Sequence, residues 1–331
     1  MSEFRIDQIT NQSGSRGPDI AGITTFTGTS GMVMPSGATE YRGGRGRGVF
    51  GGGATPIVNN IEYITISTLS NSYDFGDLNG VNSYTGSCSS STRGIWGGGN
   101  TPSAVNRIDY VTISSTGNAF DFGDLLGVRH ELAACSSNSR GIFGGGFNGS
   151  ISLQSIEFIT ISSLGNSSYF GDLTSTKRST SSCSSPIRGL FAGEFPKTNT
   201  IDYVTITSTG NAQDFGDLTQ SRGYMSGCSN SIRGLFGGGY TPSSSNVIDY
   251  ITISSTGDSI DFGDLTQARF NTASCSSLVR GVWFGGGTPT RQTTLDFVTL
   301  ATTGNATTFG SLISARDSIS GCSDAHGGLG D

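Results

Sequence analysis

A segment of 45–48 residues is repeated six times along this chain, and this repeat constrains the fold more than any other feature. Successive cysteines mark the period with separations of 47, 48, 45, 47 and 47 residues. They are Cys88, Cys135, Cys183, Cys228, Cys275 and Cys322. Copies of Gly-Asp-Leu recur with the same period, beginning at Gly76, Gly123, Gly171, Gly216 and Gly263. A fixed period of this length indicates a repeat architecture.

Each repeat contains four segments with strand character, and we predict no helix in any of them. In the copy from Arg222 to Leu265, the first strand contains Cys228, and the second is the Arg-Gly-Leu-Phe-Gly run from Arg233. The third is the β-branched, alternating Ile248–Ile253, and the fourth carries Asp-Phe-Gly-Asp-Leu. Four short strands in such a period are typical of one blade of a β-propeller.

The positions of the first and last strands predict how the ring closes. The repeats begin with a second strand at Arg47 and end with a first strand that contains Cys322. We therefore expect the C-terminal strand to complete the blade begun by residues 47–78, which protects the blade edges. The prediction is an all-β, six-bladed β-propeller over residues 47–325. An extended N-terminal arm (residues 1–46) precedes it, and a tail (residues 326–331) follows.

Composition and charge argue against several classes of partner. The net charge of -6 and the pI of about 4.9 argue against nucleic-acid binding, which needs a basic surface. No apolar run approaches the length of a transmembrane helix, and the N-terminus lacks the apolar core of a signal peptide. We expect neither a nucleic-acid nor a membrane partner.

Residues that recur in every repeat are predicted to be structural. Packed sheets lie about 10 Å apart, too far for a disulfide between equivalent cysteines, so we predict six buried, reduced thiols. No histidine or carboxylate partners accompany them, so no metal site is expected. Recurring arginines accompany the aspartates of the fourth strand, as ion pairs or backbone hydrogen bonds between blades. The arginines are Arg47, Arg93, Arg140, Arg188, Arg233 and Arg280, and the aspartates are Asp77, Asp124, Asp172, Asp217 and Asp264.

Catalytic patterns are not found in the sequence. The two histidines, His130 and His326, are far apart in the chain and have no partner motif. No Ser-His-Asp order, zinc-ligand spacing or phosphate-binding loop is present. The sequence predicts a non-enzymatic protein without a cofactor.

The repeat resembles that of kelch-type β-propellers over residues 47 to about 323, with Phe on the fourth strand where kelch repeats usually have Trp. The strings IDYVTI, GNAxDFGDL and RGxFGGG are more closely similar to repeats in virion structural proteins of tailed phages that infect marine bacteria, cyanophages in particular. Ile9–Gly14 and Gly17–Asp19 resemble the N-termini of phage fibre and tail-associated proteins. This resemblance implies a decoration, collar, baseplate or fibre-associated protein of the virion, assembled in the host cytoplasm. A kelch-like enzyme, such as a lyase or oxidase, is the less favoured alternative.

The N-terminal arm is predicted to anchor the propeller to other virion proteins. Its apolar residues are spaced for neither a helix nor a clean strand, and alone they bury too little surface to offset the entropy of ordering. The predicted anchoring residues are Phe4, Ile6, Ile9, Ile20, Ile23 and Phe26.

The loops between strands predict where ligands bind. In a four-stranded meander, the loops that join strands one to two and three to four lie on one face, and their sequences are nearly uniform; we call this the uniform face. The other loops lie on the opposite, variable face and differ in every copy, as binding loops on a rigid scaffold do. The predicted contacts there combine aromatic and cationic residues. They are Arg129, Phe147, Lys177, Phe195, Lys197, Tyr240, Arg269 and Phe270. The predicted partner is a protein or a host receptor, and the alternative is a host-surface glycan.

Overall fold

The computed structural model describes residues 46–54, 56–195 and 198–329, which form six four-stranded antiparallel sheets. Each innermost strand packs against the innermost strands of the blades before and after it, which closes the ring. The predicted six-bladed β-propeller is therefore confirmed. Within the described ranges no helix is long and apolar enough to span a bilayer. Residues 1–45 of the predicted arm lie outside the described residues.

The strands follow the predicted order within each blade. Blade 1 contains β1 (Arg47–Gly51), β2 (Val58–Thr65) and β3 (Tyr73–Asn82). Blade 2 contains β4 (Gly86–Ser89), β5 (Arg93–Gly97), β6 (Arg107–Thr112) and β7 (Phe120–Asp124). Blade 3 contains β8 (Ala133–Ser136), β9 (Arg140–Gly144), β10 (Leu153–Thr160) and β11 (Ser168–Lys177). Blade 4 contains β12 (Ser181–Ser184), β13 (Arg188–Glu194), β14 (Thr198–Thr205) and β15 (Gln213–Asp217).

Blade 5 contains β16 (Ser226–Ser229), β17 (Arg233–Gly237), β18 (Val247–Thr252) and β19 (Ile260–Asp264). Blade 6 contains β20 (Ala273–Ser276), β21 (Arg280–Phe284), β24 (Thr294–Thr299) and β25 (Thr307–Ser311), with a small hairpin of β22 (Gly287–Thr288) and β23 (Thr290–Arg291). The last strand, β26 (Ser320–Ser323), pairs antiparallel with β1 and becomes the inner strand of blade 1. The two ends of the ring are thus joined within one sheet.

The hydrophobic core lies between neighbouring blades, since each apolar cluster draws on two adjacent sheets. In one cluster, Ile95 and Phe122 of blade 2 pack with Phe143 and Ile159 of blade 3. Glycines make room for the large rings: a Cβ on Gly97 would lie 2.7 Å from the Phe143 ring. The small residue and the aromatic therefore interlock from blade to blade, as close packing requires.

The six cysteines use the same interlocking arrangement. All are free and buried, and each thiol faces a glycine on the second strand of the following blade. A Cβ on Gly189 would lie only 2.7 Å from Sγ of Cys135. Burial raises the pKa of Cys135 and of Cys322 to about 12. At neutral pH these thiols are protonated, and they act as small apolar side chains.

The recurring arginines at the start of each second strand link adjacent blades through the backbone. Each guanidinium lies 4.3–4.8 Å from the centroid of an aromatic ring on the third strand of its own blade. Each also donates a hydrogen bond of 2.7–3.1 Å to a carbonyl of the next blade, as Arg93 does to Ile161 O. Of the two predicted interactions, the backbone hydrogen bond is therefore the one these arginines make.

A second set of buried charges connects two parts of the structure: the loop that joins the fourth strand of one blade to the first strand of the next, and the third strand of that next blade. Every third strand carries a buried carboxylate; the six are Glu62, Asp109, Glu157, Asp202, Asp249 and Asp296. Five are paired with a buried cation six residues before a cysteine. The N···O distances are 2.9 Å for Arg316–Glu62, 2.7 Å for Arg129–Glu157, 3.8 Å for Lys177–Asp202, 2.8 Å for Arg222–Asp249 and 2.5 Å for Arg269–Asp296. In blade 2 the equivalent position is Asn82, and Arg107 pairs with Asp109 instead, at 3.0 Å.

The C-terminal segment closes the central channel at the uniform face. There the serine that follows each cysteine donates its hydroxyl to the equivalent serine carbonyl of the preceding blade at 2.5–2.9 Å, forming a closed ring. The predicted tail packs against this ring, with Gly327–Leu329 buried in one 3₁₀ turn. Nε2 of His326 lies 3.1 Å from Ser89 O and 3.3 Å from Oγ of Ser136. The channel is therefore obstructed at this end.

Candidate binding site at the channel mouth

A closed ring of backbone hydrogen bonds surrounds the channel where it opens on the variable face. Its six members lie four residues before each cysteine, and we call them the mouth ring. They are Tyr84, Glu131, Ser179, Tyr224, Asn271 and Ser318. Each N–H donates to the carbonyl of the preceding blade's member at 2.8–3.0 Å. The backbone of the mouth is thus uniform, whereas its side chains differ in every blade.

All six members of the mouth ring adopt left-handed backbone conformations, with φ between 54° and 59°. Such conformations cost about 1–3 kcal/mol each for non-glycine residues and persist only when surrounding structure fixes them. Here the closed hydrogen-bond ring supplies that restraint. The six side chains, together with the residues that follow them, line a cavity of about 80 Å³ at the mouth.

Two tyrosines cover much of the mouth. The Tyr84 hydroxyl lies near the Ser318 and Asn271 side chains, and the Tyr224 hydroxyl lies near the Ser179 side chain. Burial raises the pKa of both phenols, so they are neutral hydrogen-bonding groups at physiological pH. Both rings are only half-buried and form a floor with aromatic surface and polar edges.

Further aromatic side chains extend from this floor around part of the rim. We call Tyr84, His130, Phe147, Phe195, Tyr224, Phe270 and Tyr240 the aromatic arc. Successive ring contacts have centroid distances of 6.2 Å (Tyr84–His130), 5.6 Å (His130–Phe147), 5.8 Å (Phe195–Tyr224), 6.4 Å (Tyr224–Phe270) and 5.4 Å (Tyr240–Phe270). The Arg178 guanidinium bridges the remaining gap, 4.4 Å from the Phe147 centroid and 4.9 Å from that of Phe195.

A carboxylate lies beside this arginine. Oε1 of Glu131 accepts a 2.8 Å hydrogen bond from the Ser179 hydroxyl. Nε of Arg178 and Nδ1 of His130 each lie 3.9 Å from a Glu131 oxygen, too far for a hydrogen bond, and neither nitrogen has a hydrogen-bond partner among the described residues. Burial lowers the pKa of His130, so its imidazole is neutral at pH 7. The cluster therefore places a guanidinium and a neutral imidazole beside a carboxylate, and all three side chains are partly exposed.

A smaller polar group lies on another part of the rim. Oδ2 of Asp317 pairs with the Arg291 guanidinium at 3.3 Å, and Ser318 donates its hydroxyl to Oδ1 at 3.4 Å. Burial raises the pKa of Asp317, and Arg291 opposes that effect. The two carboxylates at the mouth thus each have a cation nearby.

Three of the predicted contact residues are wrong as surface contacts. Arg129, Lys177 and Arg269 are at most 3% exposed, because they pair with the third-strand carboxylates. They also fix backbone, as Arg129 does by donating to Gly145 O at 3.0 Å and Ser155 O at 3.1 Å. From the sequence, a cation in a variable loop between two blades is expected to be exposed to solvent. Here it is buried instead, because it pairs with the carboxylate that recurs on the third strand of each blade.

The four predicted aromatics occupy the site itself. Phe147, Phe195, Tyr240 and Phe270 are half-buried members of the aromatic arc, although they come from different blades. Lys197 and the predicted arm residues Phe4, Ile6, Ile9, Ile20, Ile23 and Phe26 lie outside the described residues.

Sequence reasoning missed the centre of the site. Tyr84, Glu131, Arg178 and Tyr224 were not among the predicted contacts, although each lies four or five residues before a cysteine. The residue four positions before the cysteine differs from blade to blade, although the segment around it is repeated. This variation is the sequence signal that could have pointed to the site.

Comparison of the chain with protein-family models and with curated proteins finds no match.

Proposed function

We propose that this protein is a non-enzymatic structural component of a phage particle whose propeller presents the channel mouth as a binding site for a receptor on the host surface. The observation that carries this proposal is the asymmetry of the mouth. The scaffold residues recur in each blade, whereas the aromatic arc and the Glu131–Arg178 cluster occur once each. A site built from unrepeated residues on a repeated scaffold is typical of recognition.

The proposed orientation in the particle places the variable face outward. Arg47, the first residue of β1, lies at the uniform face, and the proposed anchoring arm precedes it. That face also exposes apolar residues on three consecutive blades: Ile187 and Ile232 are each 62% exposed, and Val279 is 61% exposed. Their counterparts in blades 2 and 3 are Thr92 and Ser139. Exposed apolar surface of this kind favours contact with another virion protein.

The assignment to a phage particle rests on the resemblance of the repeated strings and of the arm to virion proteins. If it is right, mass spectrometry of density-purified particles should detect peptides from the propeller in a fixed ratio to the major structural proteins. A soluble host-cell protein from the same lysate serves as the purification control. Recovery of the chain only from the soluble fraction would rule out the virion role and leave the binding site to be assigned elsewhere.

A further inference from the structure

We infer that the channel mouth binds a neutral saccharide, which lies across the aromatic floor and uses the Glu131–Arg178–His130 cluster to hydrogen-bond its hydroxyls. This inference rests on the proposed function only in taking the mouth to be the binding site. It adds the chemical class of the ligand. A protein receptor at the same site is the competing outcome.

The shape and surface of the mouth suit a sugar ring. The aromatic rings are half-buried and in contact with one another, so they form a continuous, partly exposed aromatic surface around the mouth. A sugar ring has a face of C–H groups that packs on the electron-rich face of an aromatic side chain. The large apolar residues that protrude on the variable face are at its periphery, such as Leu126 (59% exposed) and Ile151 (61% exposed). The mouth is therefore concave and amphipathic.

The polar groups at the mouth include both hydrogen-bond donors and acceptors. A sugar hydroxyl both donates and accepts, so it needs a donor and an acceptor close together. The Arg178, His130 and Glu131 side chains lie next to one another and are each partly exposed, at 24%, 15% and 13%. A hydroxyl in contact with this cluster would accept a hydrogen bond from the exposed part of the Arg178 guanidinium and donate one to the Glu131 carboxylate. The Asn271 and Ser318 side chains provide further groups of both kinds.

The charges of the described residues at the mouth favour a ligand without net charge. Among the described residues of the rim, Arg178 lies near Glu131 and Arg291 pairs with Asp317, so each of these two cations has a carboxylate beside it. An acidic sugar or a phosphate would bring its negative charge close to these carboxylates, which is unfavourable at short range. The balance of charge thus favours a neutral ligand. The cavity of about 80 Å³ is too small for a sugar ring, so the ligand lies on the mouth and does not enter the channel.

The test is binding of the fluorescently labelled full-length protein to an array of neutral oligosaccharides, with sialylated, uronic and phosphorylated glycans on the same array. The affinity for the best-bound neutral glycan is then measured by calorimetry. Wild type should retain neutral glycans and ignore acidic ones. Glu131→Gln, which keeps the shape but weakens the acceptor, and Phe195→Ala should each lower affinity by about tenfold or more. Tyr169→Ala, which removes an aromatic 54% exposed on β11 and away from the mouth, is the matched control and should bind as wild type.

Thermal melting of each variant separates lost binding from lost folding. Retention of acidic glycans in preference to neutral ones, equal affinity of wild type and both mouth variants, or no retained glycan would each overturn the saccharide inference. If no glycan binds but mouth variants still lose attachment to host cells, the receptor is a protein, and the proposed function survives without this inference. If neutral glycans bind at the mouth but the chain is missing from particles, the saccharide inference survives and the proposed role in the virion does not.

Discussion

Removal of residues 314–331 should leave a chain that does not form a stable propeller. The deletion removes β26, whose partner β1 then has an unpaired edge from Gly48 to Gly51. It also removes the buried Ile319 and Cys322, and the Arg316 guanidinium that lies 2.9 Å from the buried Glu62. Each large apolar side chain contributes about 1.5–3 kcal/mol. Loss of one partner of a buried ion pair costs about 3–5 kcal/mol. Together these losses approach the 5–15 kcal/mol that stabilises a typical domain.

Circular dichroism melting and size-exclusion chromatography would measure this loss. The matched control is deletion of residues 1–45, which leaves every described strand in place and should melt as the full chain does. A soluble 1–313 chain with a cooperative transition at the wild-type temperature would mean that the ring does not depend on its C-terminal strand.

Asp249→Ala should destabilise the protein by about 3–5 kcal/mol, because it leaves Arg222 as an unpaired buried charge. Both side chains are fully buried, and the Nη2–Oδ2 distance is 2.8 Å. Burial lowers the pKa of Arg222, while Asp249 opposes this effect. Asp249 also accepts hydrogen bonds from the backbone and hydroxyl of Thr219 at 3.2 and 2.6 Å. Equilibrium urea unfolding would measure the change.

The exposed carboxylate of Asp214 on β15 provides the control, since Asp214→Ala removes the same group from solvent. It should change the free energy of unfolding by less than about 0.5 kcal/mol. The double variant Arg222→Met with Asp249→Leu should recover only the part of the loss that comes from the unpaired charge, because Met fills the volume but leaves the Gly238 and Val247 carbonyls without the donor that Arg222 supplies. Equal destabilisation by Asp249→Ala and Asp214→Ala would contradict a stabilising role for the buried pair.

The blade number and the strand order could be predicted from the sequence because they depend on features that recur. The 45–48-residue segment occurs six times, and each copy has the same alternation of β-branched residues and the same cysteine and glycine positions. The sequence therefore indicates the same local structure in each of the six blades. The closing strand followed from counting, since the chain begins with a second strand at Arg47 and ends with a first strand at Cys322. The burial of Gly327–Leu329 against the channel did not follow, because that segment occurs once and has no repeated pattern.

The candidate site could be predicted only in part, and the reason is geometric. Phe147, Phe195, Tyr240 and Phe270 are predicted contacts because they are aromatic residues in variable loops, and the structure places all four in the aromatic arc. Which charged residues accompany them depends on one-residue differences along each link: Lys177 is fully buried, whereas the next residue, Arg178, packs between two rings of the arc. Sequence alone does not show which of two neighbouring cations points into the blade.

The measurement that tests the account most directly is competition for phage adsorption by the purified protein. Wild-type protein added to host cells should inhibit adsorption of the particles in a saturable manner, because it would occupy the receptor. The double variant Phe195→Ala with Tyr240→Ala should fold as wild type and lose at least tenfold in inhibitory potency, since both aromatics belong to the arc. Tyr73→Ala with Tyr169→Ala removes two rings that are 56% and 54% exposed on the outer strands, and should inhibit as wild type does. Inhibition of equal potency by all three proteins, or by none of them at saturating concentration, would contradict a receptor site at the channel mouth.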